Sequence, residues 1–245
     1  FGIFEIGMDK KGEIDYLSKI LKPDVGVITN ISYAHIKNFK SIKQIALAKS
    51  EIIKNIKEKG YLVLNKDDKF FNFHKNIGLK KKLKILSFSF KNKSSTVNLE
   101  SITKKKSKYK ISVNINKKKK YFYVNSFFEN DLKNLLATIA IISIYKDIHK
   151  LDKNIFYDHK ATNGRGDIVK LKLFKKSFYL VDESYNSNPL SLQSALKNFD
   201  MIKTDNLKKH LVLGDMLELG RYSKKLHIEI GKSINKTSLK NVNVI

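Results

Sequence analysis

The sequence predicts an α/β protein in two parts. Three observations carry this expectation. Short apolar runs of strand length, such as Val25–Ile28, Tyr61–Leu64, His210–Leu213 and Asn241–Ile245, alternate with amphipathic stretches of helical length. Asn163-Gly164-Arg165-Gly166 interrupts that alternation and sets a boundary, giving parts 1–165 and 166–245. Polar, site-like segments, Glu183–Asn188 and Gly214–Gly220, follow strands directly, where ligands gather at the carboxyl ends of a parallel sheet.

In chain order, Phe1–Ile6 reads as a buried strand ending near Glu5. Gly7 and Gly12 have the spacing of a phosphate-binding loop, but Glu13-Ile14 stand where Lys and Ser/Thr are required. A carboxylate there repels phosphate, so this is not a nucleotide cradle. Ile14–Leu21 is a helix stopped near Pro23, and Val25–Ile28 the next strand. Ser41 and Gln44 have capping-box spacing and open a helix running to about Ile56. Its apolar residues Ile42, Ile45, Ala46, Ile52, Ile53 and Ile56 share one face. Tyr61–Leu64 is a strand leading into the turn cluster Asn65–Asp68, and Leu83–Phe90 is another strand. Val97–Phe127 gives several alternating strands. Leu132–Tyr145, apolar nearly all round, is a buried helix, and Asp152–Lys160 a shorter one. Beyond the boundary the order changes to a β-hairpin, with strands Ile168–Phe174 and Phe178–Val181, and then to β/α repeats. Asn188 caps a helix with Pro189 in its first turn and Leu192, Ala195, Leu196 and Phe199 as its core stripe. His210–Leu213, Ser223–Ile234 and Asn241–Ile245 complete a strand–helix–strand series, which implies a parallel sheet.

The chain has 245 residues and no cysteine, which excludes disulfides and thiolate metal sites. Its longest apolar run, Leu135–Tyr145, broken by Thr138 and Ser143, is too short to span a bilayer. No signal peptide opens the chain, and a cytoplasmic setting without membrane insertion is expected. A formal net charge of +26 would suit nucleic acid. Arg165 and Arg221 are the only arginines, however, and Lys, Asn and Ile are abundant throughout. That is compositional drift rather than phosphate recognition, which also recruits Arg. The runs Lys104–Lys106 and Lys117–Lys120 are read as the charged flanks of a hairpin built on Tyr109–Val113 and Tyr121–Val124. No nucleic-acid partner is expected; such a module stays only as a distant alternative. The apolar first and last residues suggest a fragment cut at both ends.

Lys49 falls on the apolar face of the helix that Ser41 opens. A charged amine there is costly unless it snorkels, pairs, loses its charge or is chemically altered. Glu5 ends one strand, His35 follows another, and Lys49 is next in line, so the three can converge at one sheet edge. Ammonium cannot ligate a metal. If Lys49 were carbamylated, the set would become oxygen-rich and would suit Mg²⁺ holding phosphates.

The chain resembles the Mur ligases, ATP-dependent amide-bond-forming enzymes of peptidoglycan synthesis. The resemblance rests on six ordered blocks: EIGMDKKGEI (Glu5–Ile14), TNISYAHI (Thr29–Ile36), AKSEI (Ala48–Ile52), GRGD (Gly164–Asp167), DESYNSNP (Asp182–Pro189) and LGDMLELG (Leu213–Gly220), with His227 downstream. It implies that 1–165 is most of a central ATPase-type domain and 166–245 the first part of a Rossmann-like domain. The last two blocks point to the activity that joins D-alanyl-D-alanine to UDP-N-acetylmuramoyl-tripeptide through an acyl phosphate. A sister ligase or a folylpolyglutamate synthase-like enzyme remains the alternative.

The resemblance also implies roles. Glu5, His35 and carbamylated Lys49 would hold Mg²⁺, with Lys49 and His35 at the catalytic centre. Asn30, Asn134, Arg165, Glu183, Ser184 and Tyr185 would meet ATP. Asn186, Asn188, Asp215 and Glu218 would serve the incoming dipeptide. The family's Gly-Arg/Lys-His-Asn run is replaced here by Phe128-Glu129-Asn130-Asp131. Its phosphate loop and UDP-binding domain would lie upstream of Phe1, and a full-length form is expected to be a monomer.

Overall fold

A computed structural model of the chain describes residues 1–105, 108–126, 128–159, 163–204 and 208–245. The chain divides into two compact units, one of Phe1–Ile31 with Ser41–His159, the other of Ser32–Lys40 with Lys160–Ile245.

In the first unit, β1 (Val25–Ile28), β2 (Tyr61–Asn65), β3 (Lys84–Ser89), β4 (Val97–Lys105), β5 (Lys108–Ile115) and β6 (Lys118–Val124) form one sheet in sequence order. The pairs from β1 to β4 are parallel, and those from β4 to β6 antiparallel. In β2, Leu62, Val63 and Leu64 are all essentially inaccessible, as expected for a parallel strand covered on both faces. On one face Val63 and Phe88 pack with Leu132, Leu136 and Ile139 of α5 (Glu129–Tyr145). On the other, α4 (Phe71–Lys80) lies so close that a Cβ on Gly78 would stand 2.7 Å from Leu62. Helix α1 (Glu13–Leu21) packs on α3 (Glu51–Asn55). Gly26 of β1 is similarly required, since an added Cβ would meet Ile56 Cδ1 at 2.5 Å.

Several expectations are corrected. Phe1–Ile6 is not a strand: it has no ladder partner, and Phe1, Ile3 and Phe4 are exposed. Without cross-strand pairing an apolar run has no reason to extend. The helix opened by Ser41 is two pieces, α2 (Ile42–Lys49) and α3. Ser50 breaks it, bonding back from Oγ to Leu47 O at 2.6 Å while Ile53 N tightens onto Ser50 O at 3.0 Å. Helix α4 carried no clear sequence signal, its apolar face being short and broken by Asn and Lys. The lysines do not merely flank the hairpin: Lys104–Lys105 lie in β4 and Lys118–Lys120 in β6. The turn is Asn116-Lys117, both with positive φ, as a two-residue hairpin turn requires. The segment 153–158 forms turns rather than a helix, with Asp152 Oδ1 accepting from Asn154 N. Lys106, Phe127 and Lys160, ends of expected segments, lie outside the described residues.

In the second unit, β7 (Asp167–Leu173) and β8 (Lys176–Asp182) form a hairpin turning through Phe174-Lys175, again both at positive φ. Helix α6 (Pro189–Met201) follows, then β9 (His210–Leu213), α7 (Ser223–Ile234) and β10 (Asn241–Val244). β9 and β10 are parallel, a strand–helix–strand unit. Among the described residues the hairpin is not joined to that pair. The expected hairpin and the expected parallel strand–helix–strand pair are both present, as two small sheets. A tight hairpin closes on its own, whereas a parallel pairing of β8 with β9 would need the α6 crossover to bring them alongside.

Candidate functional site

In the first unit, polar groups gather at the carboxyl ends of β1, β2 and β3. Main-chain groups left unpaired where a parallel ladder stops are satisfied there by Asn and Asp side chains. Asn65 Nδ2 donates to Thr29 O at 3.0 Å. Asp68 accepts from Ile31 N at 2.7 Å, and Asp67 from Ser89 Oγ at 2.6 Å and Phe90 N at 2.7 Å. Lys49, in the last turn of α2, reaches this edge and donates from Nζ to Asn30 O at 3.1 Å. Burial lowers its pKa below the usual lysine value, while the Asp68 charge pulls it back up. Beside it, His74 is only 2% exposed, and its Nε2 stands 3.0 Å from Ala46 O. A carbonyl only accepts, so Nε2 carries hydrogen. Burial lowers the His74 pKa, and the Lys49 charge lowers it further against Asp68 and the Ala46 bond.

The Gly7–Gly12 loop is held by carboxylates. Glu13 accepts from Asp9 N at 2.6 Å and Lys10 N at 3.0 Å. Glu51, 6% exposed, accepts from Gly12 N at 3.0 Å and Asp15 N at 3.2 Å. It caps α1 in place of a local side chain, since Gly12 at φ 97° has none. Three of the loop amides, those of Asp9, Lys10 and Gly12, are thus already bonded to carboxylates rather than open to phosphate. Glu5 sits exposed in the irregular first segment, and no hydrogen bond or ion pair joins it to Lys49 among the described residues. Asn134 is exposed on α5, its carbonyl accepting from Thr138 Oγ1 at 3.0 Å.

In the second unit, the Ser32–Lys40 segment is clasped by the residues around Glu218. Glu218, at φ 63°, accepts from Lys37 Nζ at 2.9 Å and lies 2.5 Å from His35 Nδ1; its carbonyl accepts from Lys37 N at 2.9 Å. The Lys37 bond and the nearby His35 hold the Glu218 carboxyl below the usual range, against some desolvation. Arg221 Nη2 and Tyr222 OH both donate to Lys40 O, at 2.5 and 2.8 Å. His35 is therefore placed with Glu218 in this unit.

The GRGD and DESYNSNP blocks meet in the same unit. The Arg165 guanidinium stacks 4.6 Å from the Tyr185 ring centroid. Tyr185 N donates to Gly164 O at 3.2 Å, and Gly166 N to Asp182 O at 2.7 Å. Asp182 accepts from Ser184 N at 3.0 Å, which helps to lower its pKa. Glu183, Ser184, Tyr185 and Asn186 are exposed. Asn188 Oδ1 accepts from Leu190 N and Ser191 N, so that atom serves as the helix cap. In the Gly214–Gly220 loop, Asp215 is exposed while Met216 and Leu219 are buried. Sequence reasoning missed the structural weight of Glu51, Asp68 and His74. Glu51 and Asp68 lay inside segments already singled out, as part of a motif and of a turn cluster. His74 lay on the unrecognised α4.

These features define an α/β chain whose polar groups collect at the ends of parallel strands and at the start of a second unit. The profile of the Mur ligase middle domain matches residues 1–142, and the chain belongs to the Mur ligase family. The UDP-N-acetylmuramoyl-tripeptide–D-alanyl-D-alanine ligase of Rickettsia prowazekii is 31% identical over 235 residues, covering 94% of this chain and 50% of the relative. The enzyme of the same name from Bacillus subtilis is 28% identical, covering 98% of this chain and 50% of its own length. The crystal structure of MurF from Acinetobacter baumannii superposes with TM-score 0.83 at 25% identity, covering 97% of this chain and 50% of that one. MurF from Thermotoga maritima in complex with ADP has the same fold, with TM-score 0.82 at 24% identity over 98% of this chain and 53% of that one. The chain spans about half the length of these relatives. No helix among the described residues is long and apolar enough to cross a membrane.

Proposed function

We propose that this chain is the central and early C-terminal part of a cytoplasmic, ATP-dependent ligase that adds D-alanyl-D-alanine to UDP-N-acetylmuramoyl-tripeptide. The observation that carries this reading is the similarity, along nearly all of the chain, to relatives named for that reaction. Residues 1–165 are read as the ATP-binding domain and 166–245 as the Rossmann-like one. In the reaction, the γ-phosphoryl group of ATP passes to a tripeptide carboxylate oxygen and ADP leaves. The dipeptide amine then attacks the acyl carbon, and phosphate departs as the amide forms.

Lys49 supports this reading. Only a neutral amine attacks carbon dioxide, and burial of Lys49 favours that form. A carbamate at Lys49, with Glu5 and His35, would hold Mg²⁺, which when bound neutralises phosphate charge. The Glu218 contact at Nδ1 is the kind of partner that orients a ligating imidazole. Arg165, stacked on Tyr185 with Glu183 and Ser184 beside it, would meet phosphate and nucleotide, and Asn30 and Asn134 would also serve ATP. Asn186, Asn188, Asp215 and Glu218 serve the incoming dipeptide. The test uses the natural protein that carries this sequence, supplied with UDP-N-acetylmuramoyl-tripeptide and Mg-ATP. ADP release that requires D-alanyl-D-alanine supports the assignment. Release driven instead by a single amino acid on a shorter precursor assigns the chain to a sister ligase.

A further inference from the structure

His227, on α7, bridges two main-chain groups with opposite demands. Its Nε2 stands 3.2 Å from Met216 N, and a main-chain amide can only donate. Nε2 is therefore the acceptor and carries no hydrogen. Its Nδ1 stands 2.9 Å from Ser223 O, which can only accept, so Nδ1 carries the hydrogen. Both bonds select one state, the neutral Nδ1–H tautomer. Ser223 Oγ, 3.2 Å from Nδ1, and Asp215 Oδ1, 3.6 Å from Nε2, would look like parts of a hydrolytic triad. The tautomer excludes that: Nδ1 already holds its proton and cannot take one from Ser223.

What the ring does hold is the loop that follows β9. Met216 is 3% exposed and Leu219 2%, so the loop is seated by two apolar anchors, with the His227 bond at the first. Asp215 precedes that anchor, and Glu218, two residues beyond it, reaches His35 and Lys37. Protonating His227 turns Nε2 into a donor. The Met216 bond is then lost, and the new N–H faces Asp215 Oδ1. The remaining charged groups nearby are accounted for as follows. The other charged residues of α7 are Lys224, Lys225, Glu229 and Lys232. On α6, which packs against α7, are Lys197 and Asp200, the latter bonded to Ser238. Arg221, in the short turn before α7, is bonded to Lys40 O.

We propose that His227 is a positioning residue. As a neutral Nδ1–H imidazole it fixes the Gly214–Gly220 loop, and on protonation it exchanges Met216 for Asp215 and releases it. Under the function proposed above, this would make the acceptor side of the site sensitive to pH; that consequence rests on the ligase reading, while the exchange itself does not.

The test has two independent arms. Nitrogen NMR of the imidazoles in this chain reads the tautomer, and hydrogen exchange reads Met216 N–H. The expected result is an Nδ1–H ring at neutral pH. Met216 protection should fall at least about tenfold when acid protonates the ring, the protonation being read from the same nitrogen shifts. His227→Gln offers Oε1 as a permanent acceptor, so its Met216 protection should stay high and lose the pH dependence. His227→Ala should lose protection at every pH. An Nε2–H ring, or a Gln variant with the wild-type pH profile, would overturn the proposal. In the natural protein, His227→Ala should raise KM for D-alanyl-D-alanine several-fold while KM for ATP holds. An unchanged KM for the dipeptide would overturn the link to the acceptor. Absence of any dipeptide-dependent turnover in the wild type would instead remove the ligase reading and leave the exchange results standing.

Discussion

Lys49 Nζ donates to the carbonyl of Asn30 at 3.1 Å, tying the last turn of α2 to the segment just past β1. The contact places a partly desolvated amine at the carboxyl edge of the parallel strands, where an α/β sheet presents its ligands. If that amine works chemically, Lys49→Ala should lower ligase turnover of the natural protein at least about 100-fold, the scale of losing one charged group at a reacting phosphate. Short carboxylates should restore part of it. Full activity in Lys49→Ala would remove Lys49 from the site.

Glu51 should be worth more to stability than an exposed carboxylate. Its carboxylate satisfies Gly12 N and Asp15 N from a nearly buried position. Glu51→Ala leaves those amides without their anion, and a loss of about 2–3 kcal/mol is expected. Urea denaturation measures it. A change below about 0.5 kcal/mol would mean that water replaces the carboxylate without cost.

Gly164 has φ 74°, and an added Cβ would lie 2.9 Å from Tyr185 Cβ. Gly164→Ala should therefore cost about 1–3 kcal/mol and loosen the Arg165–Tyr185 stack. An unchanged melting midpoint would argue against that packing. Arg165→Lys keeps the charge but loses the planar group over the ring. Nucleotide affinity of the natural protein should fall about two- to fivefold, the equivalent of about 0.5–1 kcal/mol. Equal affinity would place Arg165 outside the nucleotide contacts.

Acid should destabilise the chain progressively. Asp15, Glu100, Asp182, Asp200 and Glu218 all have carboxyl pKa values lowered by hydrogen bonds, with nearby lysines adding to the effect at all but Asp182. A carboxyl with a depressed folded pKa stabilises above its unfolded value, 3.8 for Asp and 4.5 for Glu, and that contribution vanishes as pH falls through the folded value. His74 acts in the same direction. Its folded pKa lies below 6.5, so the unfolded chain takes the proton first. Melting midpoints should fall from pH 7 to pH 3. The part lost between pH 7 and 5 should shrink in His74→Gln. A flat profile over that range would sink the His74 account.

The sequence by itself determined much of this protein. Hydrophobic periodicity located β1, β2, β3, α1, α5, α6 and α7, because each buries a face whose spacing is local. Cap chemistry was equally legible: Ser41 accepts from Gln44 N, and Asn188 caps α6 with Pro189 behind it. Gly7–Glu13 was already disqualified as a phosphate loop by one carboxylate. The six ordered blocks gave the family. What only the tertiary structure decided were matters of partnership. Whether Phe1–Ile6 pairs into the sheet depends on a neighbour strand that no local pattern specifies. Glu51 caps a helix that begins 38 positions before it in the chain, so nothing near Glu51 could announce the role. The His35–Glu218 contact joins residues 183 positions apart. The tautomer of His227 is set by two main-chain groups that only folding brings to opposite edges of its ring. Local periodicity reports which face of an element is apolar; which polar atom meets which is fixed only when the elements pack.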